Sequence, residues 1–205
     1  MPSVYDFKPA FQRMLRPLVN GLVALGITPN QLTLAAVVGS LAVGAAVGAL
    51  AGSHRWLLLL PAWLLARMTL NAMDGMAARE HHMSTRLGGA LNEVGDVVSD
   101  VALYLPLAAV VPGPPWPAVA FALGAVLTEF CGVLGPALGG PRRYDGPMGK
   151  SDRALVVGGL GLAAGVDARA LHWWPAILWM ASAFTVLTCW NRVARVLHEP
   201  ARGGS

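Results

Sequence analysis

Charged residues are what this sequence has least of. Only 13% of its 205 residues are Asp, Glu, Lys or Arg, whereas 55% are hydrophobic. Soluble domains usually carry about 25% charged residues. The shortage excludes an ordinary water-soluble fold and indicates an integral membrane protein whose length suits one domain, residues 1–205.

Cysteine is also scarce, and its placement excludes further classes. Cys131 and Cys189 are the only two, and both lie in apolar stretches, so they form neither a disulfide framework nor a cysteine metal site. The net charge of +4 comes without the basic patch interleaved with aromatic residues that nucleic-acid binding requires. We therefore expect no nucleic-acid partner.

Long apolar segments are what the chain does have, and several approach the roughly 20 residues that cross a bilayer. Residues 4–26 instead mix apolar and basic residues, which is typical of an amphipathic helix lying on a membrane surface. We predict an all-α integral membrane protein with this N-terminal interfacial helix and six transmembrane helices. The predicted spans are about 31–51, 56–78, 87–111, 116–138, 154–166 and 174–196.

Most of the 15 Lys and Arg residues fall on one side of this six-span arrangement. Because cytoplasmic loops are enriched in Lys and Arg, the distribution predicts that both termini are cytoplasmic. The protein is expected to be a multi-pass protein of a bacterial inner membrane.

Five acidic residues fall inside the predicted spans. An ionised group at the bilayer centre costs at least about 2.5 kcal/mol, so a carboxylate there indicates a functional site. The chemistry of that site is set by which of these residues share a helix face. The five are Asp74, Glu93, Asp96, Asp100 and Glu129.

The spacing of the polar residues creates two faces that can meet. At about 100° per residue, Asn92, Asp96 and Asp100 lie on one arc of the third span, with Glu93 beside them. On the second span the spacing of Asn71, Asp74, Gly75 and Ala78 likewise gives one face. Oxygen ligands without clustered His or Cys suit Mg²⁺, Mn²⁺ or Ca²⁺, and Mg²⁺ commonly binds together with substrate phosphates.

The second and third spans carry a long gapped motif. Its order and spacing resemble the signature of the CDP-alcohol phosphotransferases, D-x2-D-G-x2-A-R-x8-G-x3-D-x3-D, and six of its eight positions are identical. The resemblance extends to residues 28–33 and 149–153, and so takes in most of the chain. The motif residues are Asn71, Asp74, Gly75, Ala78, Arg79, Gly88, Asn92 and Asp96.

The resemblance implies a six-span homodimer with a polar cavity open to the cytoplasm. It implies displacement of CMP from a CDP-linked lipid, such as CDP-diacylglycerol, by an alcohol acceptor, with one or two Mg²⁺ or Mn²⁺ ions. Asp96 matches the proposed catalytic base. The implied metal ligands are Asn71, Asp74, Asn92 and Asp96, and the implied nucleotide-binding residues are Asp74, Gly75, Ala78, Arg79 and Gly88.

The sequence departs from the signature at Asn71 and Asn92, which stand where the family has aspartate. The matched quartet therefore has a formal charge of −2 where the signature gives −4. One hypothesis is that Glu93, Asp100 or Glu129 restores the missing charge. The alternatives are a single-metal enzyme, or a relative that has lost catalysis.

Basic residues after the fourth span are candidates for holding an acidic acceptor or lipid phosphates. Lys150 and Arg153 are the main ones, with Arg142, Arg143 and Glu129 as possible contributors. The alternatives are ordinary cytoplasmic charge for Lys150 and the arginines. For Glu129 they are a structural ion pair, for example with Arg67, or a protonated buried acid. A different class of function, an ion-coupled transporter, also uses carboxylates inside a bundle. The motif spacing and the absence of a visible inverted repeat disfavour it.

Overall fold

The computed structural model describes residues 4–198, with side chains from residue 10 onward. This part of the chain is all-helical and contains no strand. The first six residues of the predicted amphipathic segment thus lie outside the described side chains. The seven α-helices are α1 (Val4–Ala24), α2 (Pro29–Ala49), α3 (Leu59–Glu80), α4 (Arg86–Tyr104), α5 (Trp116–Ala137), α6 (Lys150–Val166) and α7 (Trp174–His198).

Short 3₁₀ helices precede or follow some of these helices. They are His54–Leu58, Leu105–Ala109 and Ala168–Trp173. The second of them ends α4 earlier than the predicted third span, because Pro106 lacks the N–H that would continue the α-helical bonding.

Four segments are long and apolar enough to cross a membrane, and the chain is a membrane protein. They are Pro29–Ala49, His54–Glu80, Trp116–Ala137 and Ala168–His198. α4 does not meet this criterion because it carries Glu93, Asp96 and Asp100, and α6 is only 17 residues long. The polar content of α4 is turned inward, since Asp96 and Asp100 are buried.

Local capping explains where the helices that carry the site begin. Thr28 and Gln31 form a reciprocal capping box before α2, with N–H to side-chain oxygen distances of 2.8 and 3.3 Å. Before α4, the Thr85 hydroxyl accepts from the N–H of Gly88 at 2.9 Å. In α6, Asp152 accepts from the N–H of Gly149 at 2.9 Å. This helix thus begins at Lys150, four residues before the predicted span.

The larger apolar core lies mainly in the half of the bundle opposite the motif. Val47 near the end of α2, Leu60 near the start of α3 and Leu103 near the end of α4 belong to this core, together with Phe121 and Leu178. The opposite ends of α3 and α4 carry the motif.

Helix α1 packs against the motif-bearing end of α3. Leu15 and Val19 of α1 share a buried cluster with Met73 and Met76. The two helices are also joined by Arg16 and Glu80, whose side chains approach to 2.8 Å.

Close approach of α2 and α4 depends on Gly44. A Cβ added to Gly44 would overlap the carbonyl group of Ala102 in α4. Gly44→Ala should therefore force the two helices apart and lower the free energy of unfolding by about 1–3 kcal/mol.

Thermal unfolding in detergent measures this effect, and Gly159→Ala is the matched control. No atom lies within 4 Å of a Cβ built at Gly159. That substitution should be neutral or slightly stabilising, because Ala favours a helix over Gly by up to about 1 kcal/mol. Equal melting temperatures for the two variants would refute the tight α2–α4 contact.

Candidate active site

The two motif aspartates are buried on neighbouring helices. Asp74 of α3 is 6% exposed and Asp96 of α4 is 7% exposed. One carboxylate oxygen of Asp74 accepts from the Thr33 hydroxyl of α2 at 2.8 Å. Asp96 forms an ion pair with Lys150 of α6, and the Asn71 amide lies 3.4 Å from the same Asp96 oxygen. Four helices thus meet at these side chains.

A cavity of about 330 Å³, here called the motif cavity, lies on the Asp74 side. The predicted nucleotide-binding residues line it together. Small residues leave it open, since a Cβ built at Gly89 meets no atom within 4 Å. Its lining includes Asn30, Thr33, Asp74, Gly75, Ala78, Arg79, Thr85, Gly88 and Gly89.

A second cavity of about 480 Å³, here called the loop cavity, lies on the Asp96 side beneath the α5–α6 loop. It is lined by charged groups of both signs. They are Asp96, Glu129, Arg142, Lys150, Asp152 and Arg192.

Asn71 and Asn92 line both cavities. The two spaces therefore meet at this asparagine pair, with Asp74 on one side and Asp96 on the other. Groups held in the two cavities can therefore approach each other beside these four side chains. The motif residues predicted as metal ligands are thus brought together at the junction.

The junction supplies oxygen donors of the kind that Mg²⁺ and Mn²⁺ prefer. Two carboxylates and two amide oxygens are available from the four residues. Within residues 10–198, no group of three or more His, Cys, Asp and Glu residues is placed to hold a metal. A divalent ion here would rely on Asn71, Asp74, Asn92 and Asp96.

Behind the junction lies a network of buried ion pairs. Asp100 is fully buried between two guanidinium groups, 2.5 Å from Arg67 and 2.7 Å from Arg153. Glu129 contacts Arg153 at 2.6 Å and Arg142 at 2.8 Å. These contacts connect α3, α4, α5 and α6, so they fix the helices that carry the motif.

Arg142 ties the α5–α6 loop to the bundle. It lies 2.6 Å from Glu93 and packs 4.7 Å from the centre of the Tyr144 ring. Burial disfavours its charge, but its contacts with Glu93 and Glu129 more than offset this and raise the pKa of Arg142. The guanidinium therefore stays charged and holds the loop over the loop cavity.

Three of the predicted site residues have a different environment from the one expected. Glu93, Asp100 and Glu129 are bound to arginines, so the hypothesis that they restore charge to the metal site is not supported by their contacts. A carboxylate inside the bundle needs a compensating cation, and arginine supplies it to each of these three. Of the two partners that the sequence allows for Arg67, a site carboxylate or Glu129, the structure shows the first, since Arg67 lies 3.5 Å from Asp96 and 2.5 Å from Asp100.

Only part of the predicted acceptor-binding set reaches the loop cavity. Lys150 and Arg142 line it, whereas Arg153 is fully buried and also donates to Thr128 at 2.6 Å and to the Met148 carbonyl at 3.1 Å. Arg143 lines a separate cavity and pairs with Asp145 at 2.9 Å. Arg153 is therefore bound within the buried ion-pair network, and the loop places Arg143 outside the loop cavity.

Arg192 and Thr33 are among the residues of the site that were missed from the sequence. Arg192 of α7 lines the loop cavity and donates to the carbonyls of Thr128 and Asp145. Its position inside the last apolar segment could have indicated a functional role, because an arginine inside an apolar span has a high free-energy cost. Thr33 belongs to the matched run at the start of the first span, but a lone hydroxyl gives little reason to expect a contact with Asp74.

The family model for CDP-alcohol phosphatidyltransferase matches residues 26–136. The inner membrane protein YnbA of Escherichia coli is 44% identical over 196 residues, covering 95% of this chain and 96% of that protein. Phosphatidylinositol phosphate synthase of Mycobacterium marinum is 28% identical, covering 94% of this chain and 83% of that protein.

Solved structures share the fold. The crystal structure of Mycobacterium tuberculosis phosphatidylinositol phosphate synthase with CDP-DAG bound has a TM-score of 0.76 at 20% identity, covering 94% of this chain and 98% of that one. The same enzyme in complex with manganese and citrate also gives 0.76 at 20% identity, covering 92% of each chain. The predicted all-helical membrane fold is confirmed.

Proposed function

Because this chain belongs to the CDP-alcohol phosphatidyltransferase family, we propose that it is a membrane enzyme that transfers a phosphatidyl group from a CDP-linked lipid to an alcohol acceptor, with release of CMP, in phospholipid biosynthesis. The observation that carries the proposal is the junction of two polar cavities at Asn71 and Asn92, between Asp74 and Asp96. A two-substrate transfer needs such a place for the reacting groups to meet.

The motif cavity suits the donor. It gathers the residues that match the family signature, and its small side chains let a nucleotide diphosphate approach the helix backbone closely. The structure of the mycobacterial synthase with CDP-DAG bound supports CDP-diacylglycerol as the donor. Asp74, Gly75, Ala78, Arg79 and Gly88 are the proposed nucleotide-binding residues.

The loop cavity suits the acceptor alcohol, because Asp96 faces it. In the transfer, the acceptor oxygen bonds to the phosphorus of the phosphatidyl group, and the bond from that phosphorus to the oxygen of CMP breaks. The Asp96 carboxylate takes the hydroxyl proton and CMP leaves as the phosphate anion. Lys150 and Arg142 are the proposed polar contacts of the acceptor, with Arg192 beside them.

A divalent cation, Mg²⁺ or Mn²⁺, is the proposed cofactor. When bound, it neutralises charge on the donor diphosphate and on departing CMP. The manganese complex of the mycobacterial synthase supports this choice. The oxygen donors at the junction fit such an ion, so Asn71, Asp74, Asn92 and Asp96 are the residues that would hold it.

The number of spans, the position of the termini and the oligomeric state are also proposed. We infer six spans, formed by α2 to α7 with their flanking 3₁₀ helices, in one domain that covers residues 1–205. α1 lies along the cytoplasmic face, both termini are cytoplasmic, and two copies form a homodimer in a bacterial inner membrane. The charged side chains of α4 face the interior of the bundle, which leaves apolar side chains such as Val94 and Val98 exposed to lipid. This arrangement supports counting α4 as one of the six spans.

The assignment of the cavities predicts a separation of kinetic effects. Gly89→Leu places bulk in the motif cavity and should raise KM for the CDP-lipid about tenfold while KM for the alcohol stays the same. Ser151→Leu places bulk in the loop cavity and should raise KM for the alcohol instead. A tenfold change corresponds to about 1.4 kcal/mol of lost binding.

Steady-state kinetics with each substrate varied in turn measure this separation. If Gly89→Leu raised KM for the alcohol alone, the two cavities would be assigned the wrong way round. The acceptor itself is found by incubating the purified protein with CDP-diacylglycerol, Mn²⁺ and a panel of alcohols, and identifying the lipid formed by mass spectrometry.

A further inference from the structure

The junction carries half of the acidic charge that the family signature provides. Asn71 and Asn92 replace two aspartates, so Asp74 and Asp96 are its only carboxylates. An amide oxygen can coordinate a cation, but it brings no charge to balance one. The number of cations that the junction can neutralise is therefore reduced.

Within the described residues, the three carboxylates considered as substitutes do not make up the difference, and Asp152 of the loop cavity serves as the cap of α6. Glu93 is bound to Arg142, and Asp100 lies between Arg67 and Arg153. Glu129 is bound to both Arg142 and Arg153. Moving any of them to the junction would break at least one of these ion pairs with an arginine, which is destabilising.

Positive charge is already in place at Asp96. The Lys150 ammonium contacts one carboxylate oxygen of Asp96, and the Arg67 guanidinium lies 3.5 Å from the same oxygen. Lys150 belongs to the first turn of α6, which the Asp152 cap holds in position. These positive charges belong to side chains of the protein itself. They lie on the side of the junction that faces the loop cavity.

We propose that this chain binds one divalent cation per chain rather than two, and that Lys150 supplies the positive charge at Asp96 where a second ion would otherwise lie. The inference rests on the proposed metal-dependent transfer. Asp74 and Asp96 carry a formal charge of −2, which one divalent ion neutralises before the ammonium of Lys150 is counted. A second would add two further positive charges beside Lys150 and the buried guanidinium of Arg67, which is costly.

Binding of Mn²⁺ alone, measured by equilibrium dialysis and electron paramagnetic resonance in detergent, tests the stoichiometry without reference to activity. The wild-type protein should bind one ion per chain with an uncoupled Mn²⁺ signal. Asn71→Asp combined with Asn92→Asp restores the four carboxylates and should bind two ions with a coupled signal. Asn191→Asp on α7, away from the junction, is the control for an added carboxylate and should still bind one.

The role of Lys150 has its own readout. Lys150→Met removes a charge that competes with the cation for Asp96, so Kd for Mn²⁺ without either substrate should fall about tenfold. A lysine that serves only the acceptor would leave that Kd unchanged, and this result would overturn its proposed part. Monodisperse elution of each variant confirms that the protein is folded.

The outcomes separate this inference from the proposed function. Two coupled ions on the wild-type chain, or none, would overturn the single-ion site whether or not CMP is released. One ion in the double Asn→Asp variant would show that the asparagines do not limit the stoichiometry, and would also overturn it. One ion on the wild type with no CMP from any alcohol would uphold the inference and overturn the transfer.

Discussion

Asp96→Asn should lower kcat for CMP release by at least about a thousandfold. The substitution removes the carboxylate that takes the acceptor proton, and a positioned base contributes about 10²–10⁴ in rate. It also removes one of the two charged oxygen ligands of the junction, which adds to the loss. The amide keeps the size of the side chain, so the fold should persist.

Asp167→Asn is the matched control for this prediction. Asp167 lies in the connection after α6 and pairs with Arg169 on the surface, so its loss should leave kcat within about twofold. Both variants are compared by CMP release at saturating substrates and by thermal unfolding. More than a tenth of wild-type activity in Asp96→Asn would remove Asp96 from the role of catalytic base.

Arg153→Met should cost about 3–5 kcal/mol of stability, enough to prevent recovery of folded protein or to lower its melting temperature sharply. Arg153 has no exposed side-chain surface and binds both Asp100 and Glu129. Its removal leaves two buried carboxylates with fewer partners in the interior of the bundle. Adding Glu129→Gln to the same chain removes one of these charges and should recover part of the loss.

The control for this effect is Arg169→Met, because the Arg169 side chain is 91% exposed and its ion pair with Asp167 is a surface one. It should change stability by less than about 1 kcal/mol. If Arg153 instead held the acceptor, Arg153→Met would fold normally and raise KM for the alcohol. That result would contradict the structural role.

The central part of the site could be predicted from the sequence. Asp74 and Asp96 stand in apolar segments where a charge is costly, and their positions within a long gapped motif place them on facing helices. The beginning of α2 was also predictable, because Thr28 and Pro29 form a recognisable helix start. These inferences depend on the local spacing of residues, which can be read directly from the sequence.

The partners of the remaining charges could not be predicted, since they depend on how distant helices pack. Arg142 is 49 residues from Glu93 along the chain, and Arg153 is 53 residues from Asp100. Which arginine meets which carboxylate is decided by the relative rotation of α4, α5 and α6. Arg153, expected at the acceptor, is used inside the network for this reason, while Arg192 enters the cavity from α7.

The most direct test of the account is CMP release from CDP-diacylglycerol by the purified protein with a panel of alcohols and Mn²⁺, with and without a chelator. We expect CMP to appear in equal amount with a new phospholipid, to stop when the metal is chelated, and to be absent from the Asp74→Asn, Asp96→Asn double variant. No CMP from folded wild-type protein with any alcohol would contradict the account and indicate a relative that has lost catalysis.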